Sequence, residues 1–188
     1  KNKKTFEVIG YVDSQKAKNN KKIDNLRVFN NDNKPKSKKD IYGTCGVSDY
    51  RIREKIFLND VIKDRYKLVN LIHPSIEMPS CLEIGNGNII FGNVHISYEV
   101  RIKNFSLISN FCDIGHNLKA GDLITLMPSV LIGGNTQIGE KSFFGSGSKV
   151  HQGIKIGKKC MIGMGALITK DVDDNGPRVR LGSFINSY

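Results

Sequence analysis

The stretch that decides the fold is Ile114-Gly115-His116-Asn117-Leu118-Lys119-Ala120-Gly121-Asp122-Leu123-Ile124-Thr125-Leu126, in which an apolar residue returns at every sixth position. Extended in both directions, the same step meets an apolar residue at all seventeen positions from Ile72 to Ile168, and twelve of these are isoleucine. Because 39% of the chain is apolar, chance would produce such a run on the order of once in ten million trials. The six-residue period therefore indicates a structural repeat.

Two neighbouring positions of each hexad follow the same rhythm. The residue directly after the apolar one is often glycine, which relieves crowding where the backbone turns or packs closely. The residue two places before it is small or aliphatic. The glycines are Gly85, Gly115, Gly121, Gly133, Gly139, Gly145, Gly157 and Gly163. The small or aliphatic residues run in steps of six from Val94 through Cys112, Val130 and Ser148 to Ala166.

These columns predict a parallel β-helix in which each hexad supplies one short strand and one turn. Three hexads make a triangular coil of eighteen residues, and stacked coils pair through parallel strands about 4.8 Å apart. A single coil cannot bury its own face, so neighbouring coils stabilise one another. The alternative, an antiparallel β-sandwich with a fortuitous period, would need turns at variable spacing.

The first seventy residues carry a different pattern. We expect strands over 6–13, 41–47 and 66–72, and a helix over 50–64 that Ser48 or Asp49 caps. Alternating strands and a helix predict a small α/β unit with a parallel sheet. The predicted domains are thus 1–70, 71–172 and a tail over 173–188. We expect this unit to lack the first strand and the Gly-rich phosphate loop that would come before residue 6.

Composition limits the class of protein. The net charge of +11 favours a polyanionic partner, such as nucleic acid or a nucleotide with several phosphates, or only a solvated basic surface. No apolar run approaches the roughly 18 residues of a membrane span, and no signal peptide is visible. The four cysteines lack metal-site spacing, so we expect reduced thiols in a cytoplasmic protein.

Four stretches resemble the acetyl-CoA-dependent sugar acetyltransferases of bacterial glycan pathways. They are 47–56 (VSDYRIREKI), 67–75 (KLVNLIHPS), 114–117 (IGHN) and 162–172 (IGMGALITKDV). That family includes sialic-acid O-acetyltransferases and the bacillosamine-pathway enzyme, an N-acetyltransferase acting on nucleotide-linked 4-amino-4,6-dideoxy sugars. The resemblance covers nearly the whole chain. It implies a left-handed parallel β-helix with a small N-terminal Rossmann-like α/β domain that binds the nucleotide sugar.

The resemblance also implies site residues. The family's general base falls on His116, and Asn117 stands where the family has an acid that raises the basicity of that histidine. Acetyl-CoA contacts fall on Thr125, Gly134, Ser146, Gly163 and Met164. Nucleotide-sugar contacts fall on Asp13, Ser14, Gly46, Ser48, Asp49 and Tyr50. Family members are trimers with the active site between two β-helices, so the resemblance implies a homotrimer.

A neutral imidazole can accept a proton at cytoplasmic pH, which suits a general base. We therefore expect His116 to deprotonate the acceptor, and backbone N–H groups near Gly134 to hold the oxyanion. The match of 67–73 favours N-acetylation of a nucleotide-linked amino sugar over O-acetylation of a sialic-acid-type sugar. A β-helix that binds metal would need three converging histidines, and the spacing of His73, His95, His116 and His151 is off the eighteen-residue coil. Nucleic-acid binding lacks a known motif, and we expect no membrane partner.

Overall fold

The computed structural model describes residues 7–13, 22–30, 34, 40–58 and 66–176 of the 188-residue chain. The chain divides into two units, Lys1–Ile41 and Tyr42–Tyr188. This division falls about thirty residues before the boundary that the sequence suggested at residue 70, because the segment after Tyr42 is bonded to the repeat region, as shown below.

The first unit contains a three-stranded sheet in the order β1-β3-β2, formed by β1 (Tyr11–Val12), β2 (Lys22–Ile23) and β3 (Leu26–Phe29). β1 runs parallel to β3, whereas β2 and β3 form an antiparallel hairpin. The hairpin turn is Asp24-Asn25, and both residues have positive φ, 48° and 62°. This is the backbone of the two-residue turns that match the twist of a hairpin and favour Asn and Asp.

The predicted Rossmann-like domain is not confirmed. The described part of the predicted strand over 6–13 is a strand only at Tyr11–Val12, and Phe6 lies outside the described residues. Within the described residues of the first unit there is no helix to cover its sheet. The hairpin between β2 and β3 is antiparallel, whereas a Rossmann-like unit is built from parallel strands.

A short strand–helix–strand unit opens the second unit: β4 (Tyr42–Gly43), α1 (Tyr50–Ile56) and β5 (Lys67–Leu68). The two strands are parallel, with Tyr42 opposite Lys67. The helix begins at the predicted residue, where the side chain of Asp49 accepts a hydrogen bond from the Arg51 N–H as its N-cap. Its predicted end at residue 64 lies outside the described residues.

The strand predicted over 66–72 is split into two. Its second part, β6 (Leu71–Ile72), pairs with the repeat region rather than continuing β5. Asn70 makes the break: its side-chain amide donates to the carbonyl of Gly85 at 2.7 Å, and its side-chain oxygen accepts from the N–H of Asn88 at 2.8 Å. Asn70 therefore joins the strand to the first coils.

The repeat region is a parallel β-solenoid, as the period predicted. Every strand in it has two residues. The strands are β6, β7 (Glu83–Ile84), β8 (Ile89–Ile90), β9 (His95–Ile96), β10 (Arg101–Ile102), β11 (Leu107–Ile108), β12 (Asp113–Ile114), β13 (Lys119–Ala120), β14 (Thr125–Leu126), β15 (Leu131–Ile132), β16 (Gln137–Ile138), β17 (Phe143–Phe144), β18 (Lys149–Val150), β19 (Lys155–Ile156), β20 (Met161–Ile162) and β21 (Leu167–Ile168).

These strands form the three faces of a prism. Face A contains β7, β10, β13, β16 and β19; face B contains β6, β8, β11, β14, β17 and β20; face C contains β9, β12, β15, β18 and β21. All strand pairs in the faces are parallel, and their partners are eighteen residues apart, as in Leu71 opposite Ile89 and Ile114 opposite Ile132. Residues eighteen apart therefore lie one above the other. The left-handed sense of the winding stays a prediction from the resemblance.

The predicted inward columns form the core. All fourteen apolar repeat positions from Ile90 to Ile168 are buried, and so are the small residues from Val94 to Ala166 that lie two places before them. The two ends of the repeat region differ from the prediction. Met78 is exposed and lies in no strand, and Ile76 is buried instead. At the other end Val172 pairs with Ile156, sixteen residues away, so the last coil is shortened.

Each corner of the prism uses a left-handed residue that the sequence reading missed. This position recurs every six residues from 93 to 165, three places after the inward apolar residue. Gly147, Gly153 and Gly165 occupy it without strain, and Asn93, Asn117 and Asn135 are among the non-glycine residues that tolerate it. None of the residues at this position is β-branched, for which left-handed φ is most costly.

The buried Arg53 fastens α1 to face B. Its guanidinium donates to the carbonyls of Phe105, Leu123 and Ile124 and to the hydroxyl of Thr125, at 2.7 to 3.2 Å. It also donates to the carbonyls at 47 and 48. Burial lowers the pKa of Arg53 to about 10. These hydrogen bonds hold the strand–helix–strand segment against the solenoid.

Two further contacts support this attachment. Lys141 pairs with Glu54 of α1 at 2.7 Å, and this hydrogen bond raises the pKa of Lys141. In a small apolar cluster, Cys45 packs with Phe105 and Leu123 of the solenoid. The middle of face B, at Leu107 and Thr125, is therefore buried, whereas Leu71 and Met161 near its ends are exposed. Face A presents charged side chains to solvent. No helix in the part of the chain that the structure describes has the length and apolar character to cross a membrane.

Candidate active site

His116 lies at the corner between faces C and A, two residues after the end of β12. The corner is tight, because a Cβ on Gly115 would lie 2.5 Å from the backbone nitrogen of Gly134 in the next coil. Real Cβ atoms do not approach so closely, so glycine is required before the histidine. The side chain of His116 is half-buried. The corner therefore holds the imidazole at the surface of the prism without leaving it free in solvent.

The imidazole is held between the coil below and the coil above. The ring of Tyr98, eighteen residues before His116, stacks on it with centroids 5.3 Å apart and planes inclined by 10°. On the other side lies Gly134, eighteen residues after His116. A Cβ on Gly134 would be only 2.5 Å from Nε2 of His116. The absent side chain at 134 thus leaves the space in which the ring sits.

A hydrogen-bond chain leads from the ring to a carboxylate. Nδ1 of His116 lies 2.8 Å from Oδ1 of Asn117, and Nδ2 of Asn117 donates to Oε2 of Glu99. Glu99 and Asn117 occupy the left-handed position of successive coils, with φ of 54° and 57°. Their side chains are therefore stacked by the coil register, and the amide bridges the imidazole and the acid.

This arrangement defines what the imidazole can do. An amide oxygen only accepts hydrogen bonds, so Nδ1 carries the proton when the ring is neutral. Nε2 then presents an unshared pair and can accept a proton from another molecule. Nε2 is also the atom next to Gly134. The geometry therefore equips His116 to act as a general base through Nε2.

Gly134, the residue next to that nitrogen, also has an unused backbone donor. The N–H of Gly134 makes no hydrogen bond within the described residues, whereas Gly133 and Asn135 donate to the carbonyls of Val150 and His116. The fixed neighbours on both sides hold the peptide of Gly134 in place. Such a preorganised and unused donor can stabilise negative charge that develops next to the base.

The residues predicted to contact acetyl-CoA lie in three places. Gly134 is at the corner of His116. Ser146, Gly163 and Met164 are at the corner between faces B and C, and Met164 is exposed. Thr125 lies on face B and is fully buried, because its hydroxyl accepts from Arg53 and donates to the carbonyl of Ser48. The hydroxyl of Thr125 therefore helps to attach α1.

The residues predicted to contact the nucleotide sugar also lie in different segments of the chain. Asp13 belongs to the first unit, and Ser14 lies outside the described residues. Gly46, Ser48, Asp49 and Tyr50 form the approach to α1. The hydrogen bond from Arg51 lowers the pKa of Asp49, and the carbonyl of Ser48 accepts from Arg53 and Thr125.

The remaining histidines and cysteines have other surroundings. His95 pairs with Asp113 at 2.8 Å on the exposed surface of face C. His73 bonds with Ser75, and His151 with the carbonyl of Gln152. Cys112 and Cys160 are buried in the small inward column, and burial raises the pKa of Cys112 to about 11. Among the described residues no group of three His, Cys, Asp or Glu side chains is placed to hold a metal ion.

Sequence reasoning missed three residues that shape this part of the molecule. Tyr98 and Glu99 lie one coil below His116 and Asn117, and stepping back eighteen residues from the histidine would have found them. Arg53 reads as an ordinary polar position of an amphipathic helix. No pattern in the sequence indicates that face B will enclose it.

Comparison with known proteins supports the assignment of the repeat. Residues 135–170 match the family model described as bacterial transferase hexapeptide (six repeats). GDP-perosamine N-acetyltransferase of Escherichia coli O157:H7 is 27% identical over 124 residues, which are 66% of this chain and 55% of that protein. An acyl-[acyl-carrier-protein]–UDP-N-acetylglucosamine O-acyltransferase of Thiobacillus denitrificans is 28% identical over 101 residues, or 50% of this chain and 39% of that protein. The chain thus spans about half the length of these curated relatives or less.

Two solved structures are similar in fold and above 25% in sequence identity. PerB from Caulobacter crescentus, in complex with CoA and GDP-perosamine, superposes with a TM-score of 0.69 and 26% identity, over 72% of this chain and 65% of that one. The acetyltransferase domain of PglB from Neisseria gonorrhoeae, in complex with acetyl coenzyme A, gives a TM-score of 0.72 and 26% identity over 81% and 75%. Residues 135–170 thus match a model of hexapeptide-repeat transferases, and the chain is similar in sequence and fold to the sugar acetyltransferases named above.

Proposed function

We propose that this protein transfers the acetyl group of acetyl-CoA to the amino group of a nucleotide-linked 4-amino-4,6-dideoxy sugar. The observation that carries the proposal is the environment of His116: Nδ1 is bonded to Asn117, and Nε2 lies against Gly134, whose N–H makes no hydrogen bond within the described residues. A base and an oxyanion donor side by side are what acyl transfer from a thioester requires.

The chemistry follows from these two groups. The sugar amine attacks the thioester carbonyl, a C–N bond forms, and Nε2 of His116 takes the proton that the amine loses. The carbonyl oxygen gains negative charge, which the N–H of Gly134 stabilises. The C–S bond then breaks, and the proton held by His116 passes to the departing thiolate, so that CoA leaves as the thiol. Proton transfer by a positioned side chain contributes about 10²- to 10⁴-fold to such a rate.

Acetyl-CoA binds, in this proposal, along face C. Ser146, Gly163 and Met164 border face C on one side and His116 borders it on the other. The coil of Met164 lies three strand spacings above the coil of His116, about 14 Å along the prism. Since PerB and the PglB domain were crystallised with CoA and acetyl coenzyme A respectively, an elongated thioester on this surface agrees with the relatives.

In this proposal the approach to α1 contacts the nucleotide sugar. Asp13, Ser14, Gly46, Ser48, Asp49 and Tyr50 stay our proposed contacts. The N-acetyltransferase named for GDP-perosamine in E. coli and the GDP-perosamine complex of PerB favour a nucleotide-linked amino sugar as the acceptor.

A homotrimer is part of the proposal, because face C carries exposed apolar side chains that one prism leaves uncovered. Leu131 and Leu167 lie on face C itself, and Phe91, Phe111 and Met164 lie at its corner with face B. Exposed apolar side chains concentrated on one part of a surface mark a protein contact or a ligand groove. A second prism against this face would also enclose the thioester beside His116.

The proposal is tested by thiol release from acetyl-CoA with a panel of acceptors. GDP-, UDP- and dTDP-linked 4-amino-4,6-dideoxy sugars should support release, and the product should be an amide that resists mild alkaline hydrolysis. The same nucleotides carrying a 4-hydroxyl sugar, and free sialic acid, should not be consumed. Turnover of sialic acid with an alkali-labile ester product, and none with any amino sugar, would instead support the O-acetyltransferase alternative.

A further inference from the structure

We propose that Glu99, one coil below the catalytic corner, positions the active site by determining which nitrogen of His116 carries the proton. The inference rests on the proposed function of His116 and adds a residue to it. Glu99 makes no contact with the imidazole. It acts through Asn117, which lies between them.

The orientation of the Asn117 amide is decided by which of its groups can donate. A carboxylate only accepts hydrogen bonds, so the group that Asn117 presents to Glu99 must be its NH₂. The oxygen and nitrogen of an amide have nearly the same shape, and their assignment follows from their partners. Since the NH₂ of Asn117 faces Glu99, its Oδ1 must face His116. Rotating the amide by half a turn would bring an oxygen against the carboxylate oxygen.

The orientation of Asn117 in turn decides which ring nitrogen of His116 carries the proton. Oδ1 of Asn117 only accepts, so Nδ1 of His116 must donate at 2.8 Å, and the neutral ring keeps its unshared pair on Nε2. Nε2 is the nitrogen next to Gly134. Without Glu99, Asn117 could turn and donate to Nδ1, which would move the proton to Nε2 and remove the base. Glu99 thus selects the productive tautomer.

The solenoid holds Glu99 in this role. Its backbone is at the left-handed corner position, its N–H donates to the sulfur of Cys81 at 3.2 Å, and the N–H of Asn117 donates to the carbonyl of Tyr98 at 3.0 Å. These bonds link three successive coils. An acid directly after the histidine would accept from Nδ1 itself; here an amide occupies that place and the acid is one coil away.

The test uses Glu99→Gln, because glutamine has nearly the same shape but donates as well as accepts. Glu83→Gln is the matched control, since Glu83 is also an exposed acid that bonds a side chain eighteen residues ahead, Arg101, at 3.1 Å. A double variant, Glu99→Gln with Asn117→Asp, returns a carboxylate to Nδ1 directly. The ring tautomer of His116 is read from ¹⁵N chemical shifts of the free protein at a pH where the ring is neutral, and kcat and KM are measured in parallel.

We expect the Nδ1–H tautomer in the unmodified protein and in Glu83→Gln, and a mixture in Glu99→Gln. We expect kcat of Glu99→Gln to fall about tenfold, the effect of losing one hydrogen bond to a charged group, with KM little changed. The double variant should regain the tautomer and most of kcat.

An unchanged tautomer in Glu99→Gln would overturn the inference, and so would an equal loss of kcat in Glu83→Gln. Because the ¹⁵N measurement needs no substrate, it still decides the role of Glu99 if the protein proves inactive toward every amino sugar. In that case the proposed function is wrong, and the ¹⁵N shifts alone decide whether Glu99 sets the tautomer of His116.

Discussion

The imidazole of His116 is positioned almost entirely by residues one coil away from it. Tyr98 stacks on one side of the ring, and the bare backbone of Gly134 lies on the other. Asn117 is the exception, since it is the next residue in the chain. The stacking of successive coils therefore builds the site, and the local sequence around His116 supplies only part of it.

The sharpest residue-scale prediction concerns Gly134. Its φ is not positive, so alanine fits the backbone, but the added Cβ would lie 2.5 Å from Nε2 of His116. The ring must move aside, and a displacement of about 1 Å can lower the rate about a hundredfold. We expect kcat/KM of Gly134→Ala to fall roughly ten- to a hundredfold in the thiol-release assay.

The matched control is Gly43→Ala in β4, where a new Cβ would lie 4.0 Å from the ring of Tyr66, an ordinary contact. Gly43→Ala should retain activity close to that of the unmodified protein. If Gly134→Ala were equally active, the space beside Nε2 would not be part of the reaction site.

At this scale the sequence predicted some site residues and missed others for a physical reason. His116, Asn117 and Gly134 could be named from the resemblance to the sugar acetyltransferases, which implied a role for each of them. Tyr98 and Glu99 could not be found without converting sequence distance into coil register. Thr125 was expected at the acetyl-CoA site, but α1 and Arg53 bury its side chain, and a repeat pattern does not reveal what covers a face.

At the scale of single elements, α1 depends on one buried cation. Arg53 is 1% exposed, and all its donors are directed at carbonyls and at the hydroxyl of Thr125. Replacing it by methionine would leave several buried acceptors without a donor, each at a cost of about 1–3 kcal/mol before relaxation. We expect Arg53→Met to lower the free energy of unfolding by about 2–4 kcal/mol, measured by denaturant titration.

Arg51, in the same helix, is the natural control. It pairs with Asp49 at 2.7 Å in a largely exposed position, where ion pairs contribute little. Arg51→Met should therefore leave the denaturation midpoint close to that of the unmodified protein. Equal destabilisation by the two substitutions would mean that the buried hydrogen bonds of Arg53 do not hold α1 in place.

Elements of the solenoid were more predictable than those before it. The six-residue period located the strands because each inward apolar residue from Ile90 to Ile168 is required by a core that has no alternative register. Before residue 70 the strands are also short, two to four residues, but no repeat reinforces them, so composition alone gives weak signals. The break at Asn70 also depends on side-chain bonds to Gly85 and Asn88, which lie fifteen and eighteen residues away.

The assembled molecule of the proposed function contains more than one chain. Face C and its corner with face B carry exposed Leu131, Leu167 and Phe111, and His116 borders the same face. If three chains of 21.0 kDa associate around these surfaces, light scattering coupled to gel filtration should give about 63 kDa. Leu131→Glu should lower the measured mass toward that of one chain. A single-chain mass for the unmodified protein would contradict the proposed trimer.

The role of His116 in acetyl transfer is tested most directly by comparing the unmodified protein with His116→Asn. Asparagine is polar but cannot accept the proton at neutral pH, so kcat for acetyl transfer to the best amino-sugar nucleotide should fall about 10²- to 10⁴-fold. The dissociation constant for acetyl-CoA, measured by calorimetry, should change little, and His73→Ala should behave like the unmodified protein. Undiminished turnover in His116→Asn would contradict the account, because the imidazole would then have no part in the reaction.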